Sequence, residues 1–103
     1  MSVKFLHYRA FDDDGRILSH GGVTIAYVAA DTGVTYALAR CSPQDNFSRA
    51  FGRNKARGRL LSEYADTLEH YTVSSFILQM DAIYAGRFYR NIKIFAECNN
   101  LTS

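Results

Sequence analysis

The first forty residues alternate. Val3 to Phe11 (VKFLHYRAF) sets Val3, Phe5 and His7 on one side and Lys4, Leu6 and Tyr8 on the other, which is the period of a strand. Val23 to Ala29 repeats the pattern, with Val23, Ile25, Tyr27 and Ala29 on one face, and Val34 to Cys41 repeats it again. Turn-forming residues fall between these runs. Asp13-Asp14-Gly15 ends the first, with Ile17 to Ser19 as a short continuation. Gly21-Gly22 punctuates before the second, and Asp31-Thr32-Gly33 separates the second from the third. An antiparallel meander is the simplest arrangement of three strands so spaced.

After Cys41 the period changes. Ser42 is a capping residue, Pro43 suits a first helical position, and Asp45 complements a helix N-terminus. These signals predict a helix from Pro43 to about Tyr64, with Gly52 or Gly58 as points of bending. At 100° per residue Phe47, Phe51, Gly58 and Leu61 share a stripe with Ala50 at its edge, so this stripe is expected to pack on the sheet, with close backbone approach at Gly58. Asp66 to Tyr71 reads as a loop. Phe76, Ile77, Met80, Ile83 and Tyr84 fit a second helix, capped by Ser74 or Ser75 and running to about Ala85, although its β-branched start also suits a strand. Ile92 to Ala96 reads as a final strand and Asn99 to Ser103 as a frayed tail. The expected fold is α+β: a small antiparallel sheet of about four strands packed on one long and one shorter helix, in a single domain spanning residues 1–103.

Composition narrows the class. The chain has 103 residues, 48% hydrophobic, with seven Phe and seven Tyr, which excludes a disordered or low-complexity protein. A domain this small has little interior to divide between a core and a deep pocket, so a ligand site shared between subunits of a homo-oligomer is expected. No apolar run approaches the ~20 residues of a membrane helix. Cys41 and Cys98 stand far apart without a CxxC pair, and no secretory segment opens the chain, so a reduced cytoplasmic setting is expected.

The net charge of +2 conceals a local field. Asp12, Asp13 and Asp14 cluster near the start, whereas Arg49, Arg53, Lys55, Arg57 and Arg59 follow one another with no acid between Asp45 and Glu63. Arg49, Arg53 and Arg57 are spaced i, i+4, i+8. They form a ridge near Leu60 and Tyr64, with Lys55 and Arg59 on the other flank. Like charges at that spacing repel, and a bound anion would compensate them; the bland alternative is a solvated basic face. A near-neutral total favours a confined anionic ligand over a nucleic acid. A second cluster, Gly86 to Asn91, offers Arg87, Phe88, Arg90 and Asn91 as a purine-and-phosphate kit, or else an amphipathic helix end.

Catalytic signals are thin. His7, His20 and His70 are scattered, and there is no P-loop. Cys41 before a helix N-terminus is either a reactive thiol or a small buried residue ending a strand, the second being the simpler reading. Asp12-Asp13-Asp14-Gly15 reads as a solvated turn rather than a cation loop, and Gly21-Gly22 as a bulge or tight turn. No metal, no cofactor and no enzymatic activity are expected.

The run Ala39-Arg40-Cys41-Ser42-Pro43-Gln44-Asp45-Asn46-Phe47-Ser48-Arg49, continuing through Gly52-Arg53 to Gly58-Arg59-Leu60 and preceded by Gly21-Gly22-Val23-Thr24-Ile25-Ala26, resembles a segment of short phage-encoded anti-defence proteins that act against the Thoeris system. The resemblance covers about 40 residues and leaves the C-terminal third unsupported. It implies an oligomer with a small antiparallel sheet and helices that sequesters a signalling nucleotide, a cyclic ADP-ribose isomer or a cyclic oligonucleotide, without cleaving it, in the cytoplasm of an infected bacterial cell. On that basis Arg49, Arg53 and Arg57 are phosphate-side candidates, and Arg87, Phe88, Arg90 and Asn91 complete the pocket. The competing expectations are a phage inhibitor that docks on a host protein such as a nuclease, and a small nucleic-acid-binding protein.

Overall fold

The structure, a computed structural model, describes residues 2–84 and the backbone of residues 88–90. Five strands form one antiparallel sheet: β1 (Lys4–Ala10), β2 (His20–Ala30), β3 (Gly33–Asn46), β4 (Asp66–Glu69) and β5 (Phe88–Arg90), in the order β4-β3-β2-β1-β5. The expected meander is β1 to β3. Two helices, α1 (Arg49–Leu60) and α2 (Val73–Tyr84), connect β3 to β4 and β4 to β5. The class is the expected α+β. The expected contrast of one long and one shorter helix is not found, since each has 12 residues.

The pleat of the strands sends alternate residues to opposite faces, and each face is covered by one helix. Leu6, Tyr8, Val23, Ile25, Tyr27 and Val34 meet Phe76, Met80 and Tyr84 of α2. The rings are tightly grouped there: Phe76 lies 5.0 Å from Tyr27 and 5.3 Å from Tyr36, and Tyr8 lies 4.9 Å from Tyr84. The opposite face is built from Ala26, Ala37 and Ala39, which meet Ala56 and Leu60 of α1. β2 is therefore buried on both sides from Gly21 to Tyr27.

Several expected boundaries move, each for a local reason. β3 does not stop at Cys41. The register jumps from Gly22↔Cys41 to His20↔Asn46, so residues 42–45 loop out opposite Gly21 as a wide bulge. Pro43 stands in that bulge, where its missing N–H leaves no ladder bond unmade. The Cys41 thiol fills the neck, its Sγ within 3.4–3.6 Å of the carbonyl oxygens of Ser42, Asp45 and Asn46, which are alternative acceptors for its single S–H. Gly22, at φ 125°, allows the turn back into the ladder, and a side chain there would collide with the Phe47 ring and the Tyr8 carbonyl. The helix begins only at Arg49. Ser48, in extended backbone, accepts a hydrogen bond from the Phe51 N–H at 3.2 Å, so Ser48, not Ser42, is the cap.

The packed stripe of α1 also differs from the expected one. Phe51 and Leu61 are 67% and 77% exposed, and Gly58 has open space beside it. The side facing the sheet is Gly52, Ala56 and Leu60, because a face paved with alanines admits a helix only where its own residues are small. Asp66 to Glu69, expected to be loop, pairs with residues 33–36 of β3, with the Thr35 and Thr67 hydroxyls 3.0 Å apart and Leu68 against the aromatic core. α2 is capped by Thr72, not by Ser74 or Ser75. The Ser75 N–H donates to Thr72 Oγ1 at 3.1 Å, and the Thr72 N–H donates to Ser75 Oγ at 2.8 Å. The expected strand over residues 92–96 and the tail 99–103 lie outside the described residues.

Candidate functional site

The basic segment lies on α1, and the geometry divides it. Arg59 is turned back to the fold, its guanidinium donating at 2.9 Å to the Leu38 carbonyl on the open side of β3. Arg49, Arg53 and Arg57 are exposed along the other flank, and the charges of Arg49 and Arg53 reach His7 on β1. There the structure adds two residues that the sequence did not single out for this role, His7 and Arg9.

His7 sits beneath this flank. Its Nδ1 is 3.0 Å from Thr24 Oγ1, its cross-strand neighbour, and its ring meets Phe47 edge-on at 5.8 Å. Burial pushes its pKa down to about 4, reinforced by the charges of Arg49, Arg53 and Arg9 in that order. The imidazole is thus neutral at pH 7, and the positive charge of the cluster is carried by guanidinium groups. Arg9 lies over the Phe47 ring, 4.4 Å from its centre, and donates to the Leu18 carbonyl at 3.0 Å. Its Nε is buried without a hydrogen-bond partner. Burial and the neighbouring Arg49 lower the Arg9 pKa from its usual value, so this guanidinium is less well solvated than a free one.

Among the described residues no carboxylate pairs with Arg9, Arg49, Arg53 or Arg57. The acidic cluster is used elsewhere. Asp12 Oδ1 accepts the N–H groups of Asp14 and Arg16, both at 2.9 Å, which makes Asp12 to Gly15 a self-satisfied turn.

Of the second cluster, Arg87 and Asn91 lie outside the described residues, and Phe88 and Arg90 are described by backbone alone. β5 is nonetheless placed beside the ridge by its register: Phe88, Tyr89 and Arg90 pair with Ala10, Arg9 and Tyr8. The strand that carries His7 and Arg9 thus separates the two groups of candidate residues. Phe88–Arg90 form an edge strand rather than a helix end.

The opposite flank of α1 faces the β3 bulge across a cleft of about 300 Å³. Ser42 and Asp45 line it from the strand, Phe51 and Lys55 from the helix, and Thr24 from its floor; Arg40 borders it at a β3 position of the α2 face, where its charge acts on Tyr84. The cleft exists because the bulge swings residues 42–45 away from the sheet while Gly52 lets α1 settle onto Thr24. Cys41 borders it, but with the strand continuing past it the thiol no longer stands before a helix N-terminus, the position that would have marked it as reactive. None of the cleft residues is among the ligand-binding residues expected from the sequence. Their grouping depends on the bulge, which the Ser-Pro-x-Asp pattern disguised as a helix start.

No protein-family model, curated protein or solved structure matches this chain. No helix among the described residues is long and apolar enough to cross a membrane.

Proposed function

We propose that the protein is a non-enzymatic binder that sequesters a small phosphorylated nucleotide, with Arg49, Arg53 and Arg57 on the phosphate side and Arg9 as a fourth cation. The observation that carries this reading is the guanidinium cluster beside His7, which no carboxylate of the described residues offsets. Arginine presents a fork of donors suited to phosphate oxygens, and a neutral His7 leaves those donors unopposed by a nearby acid. The register pairs Arg90 with Tyr8, whose ring belongs to the α2 face, so β5 lends no support to placing Phe88 and Arg90 in this site. The resemblance of the Ala39–Leu60 segment to phage anti-defence proteins points to cyclic ADP-ribose isomers and cyclic oligonucleotides as the ligands to try first.

Calorimetry with cyclic ADP-ribose isomers and cyclic di- and trinucleotides tests the reading. At least one should bind with a Kd below about 10 µM, equivalent to about −7 kcal/mol. The triple variant R49Q/R53Q/R57Q should lose that binding, and heat denaturation should release the ligand intact. No binding tighter than that threshold, or release of a cleaved product, overturns the proposal.

A further inference from the structure

We propose that the outward face of α1 is a docking surface for an acidic amphipathic helix of a partner protein. Phe51, Asn54, Gly58 and Leu61 recur at i, i+3, i+7 and i+10, the spacing that holds residues on one face of a helix. That face lies opposite Gly52, Ala56 and Leu60, which meet the sheet. Most of this stripe is the one whose period marks it for packing in the sequence, and the described fold leaves it uncovered. Phe51 and Leu61 are among the most exposed large apolar side chains of the described residues, and Gly58 has open space beside it.

The stripe is shaped for a helix. From Phe51 to Leu61 it runs about 15 Å, three turns. Two large anchors stand at its ends, and Gly58 between them allows a partner's backbone to come close. Apolar side chains at i, i+3 or i+4, and i+7 of an incoming helix match that length.

The charge at its edges selects the partner. Arg57 borders one edge, with Arg53 and Arg49 behind it, all exposed and none held by a carboxylate of the described residues. Lys55 borders the other edge, where it lies 5.8 Å from the centre of the Phe51 ring and shares the cleft with Asp45, so that edge is close to neutral. The excess of positive charge is one-sided, and the carboxylates of a partner belong along the Arg57 edge. A second copy of this chain fits poorly. Pairing the stripe with itself, in either orientation, sets Lys55 and Arg57 against cations of the other copy. A free anion would satisfy the arginines and leave Leu61 bare. An acidic amphipathic helix covers the stripe and offsets the edge together.

The test uses the full chain and a fluorescent Ala-rich helical peptide of four turns, with Leu at i, i+3 and i+7 on one face and Glu along one edge of it. By fluorescence anisotropy the peptide should bind with a Kd below about 100 µM. The same peptide with Lys for Glu, or with Ser for Leu, should bind at least about tenfold more weakly. F51S/L61S, at exposed positions and so neutral to folding by circular dichroism, should weaken the peptide at least about tenfold, and R57Q about threefold. Peptide binding is read directly, so failure of nucleotides to bind the ridge does not bear on the outcome. The proposal is overturned by absence of saturable binding below that Kd, by equal binding of the Lys and Glu peptides, or by an unaffected F51S/L61S variant. It is also overturned if sedimentation equilibrium shows a dimer that F51S/L61S abolishes, since a second copy then covers the stripe.

Discussion

The two faces of the sheet use different materials. On the α2 face Tyr8, Tyr27, Tyr36, Phe76 and Tyr84 fill the space with rings, backed by Ile25 and Met80. On the α1 face Ala26, Ala37, Ala39 and Ala56 leave so little space that the helix must present Gly52 to the strands. The first face removes large apolar areas from water and supplies most of the hydrophobic stabilisation, which scales with the area buried. The second buries little per residue. What it provides is position: α1 lies close to the sheet, its flanks stay in solvent, and the charges and aromatics on them converge with residues of β1 and β3. Stability and the proposed ligand contact are thereby assigned to opposite sides of one sheet.

The sharpest way to break this comparison is to cut into each face. Phe76 is fully buried between Tyr27 and Tyr36. Phe76→Ala should cost about 3–5 kcal/mol in urea-induced unfolding. A loss below about 1 kcal/mol would mean that the aromatic face is not the principal core.

The two glycines of α1 give a finer test, because they differ only in what lies opposite. Alanine is favoured over glycine in a helix by up to about 1 kcal/mol. Gly58 has nothing within 4 Å of an added methyl group, so Gly58→Ala should stabilise the protein by about 0.5–1 kcal/mol. A methyl group on Gly52 would collide with the Thr24 side chain, which already holds His7. Gly52→Ala should instead destabilise by about 1–2 kcal/mol, overpacking outweighing helix propensity. Equal signs for the two variants in thermal or urea denaturation would refute the close approach of α1.

A comparably small effect is expected of pH on the α1 face. The His7 pKa falls from 6.5 to about 4 on folding, so between these values the unfolded chain takes up a proton that the folded chain refuses. The associated stability is fully present above pH 6.5 and is lost as pH falls to about 4. Discounted for its partial exposure, the loss is on the order of 1 kcal/mol. His7→Gln should remove that component from a stability–pH profile. Parallel profiles for the two proteins would show that His7 is not held neutral.

How much of this was legible in the sequence depended on how local the cause was. The meander of β1 to β3 followed from alternation and turn chemistry, which act within a few residues. α2 was recognisable by its period, α1 was expected from start signals that lie in the β3 bulge, and the Arg49, Arg53, Arg57 spacing gave the ridge. The errors arose where distant parts of the chain decide. Ser42-Pro43-Gln44-Asp45 carries helix-start chemistry, yet the pairing of Asn46 with His20 holds it in the sheet. Asp66 to Glu69 has one apolar residue and becomes a strand only because the start of β3 offers an open edge. Large Phe51 and Leu61 looked like the packed stripe, but the alanines across from them had already excluded bulk. His7 and Arg9 reach the ridge, and the β3 bulge faces Lys55 across the cleft, through tertiary placement that no short window contains.

The alanine-paved interface has a consequence for motion. Sub-global opening of a protein follows the units that bury least, and α1 rests on small side chains while α2 is locked among rings. α1 can lift from the sheet at a fraction of the cost of global unfolding, leaving the doubly covered β2 intact. The surface proposed to meet a ligand is thus a cooperative unit of its own, one whose amide exchange would slow on ligand binding while the exchange of the central strand stayed unchanged.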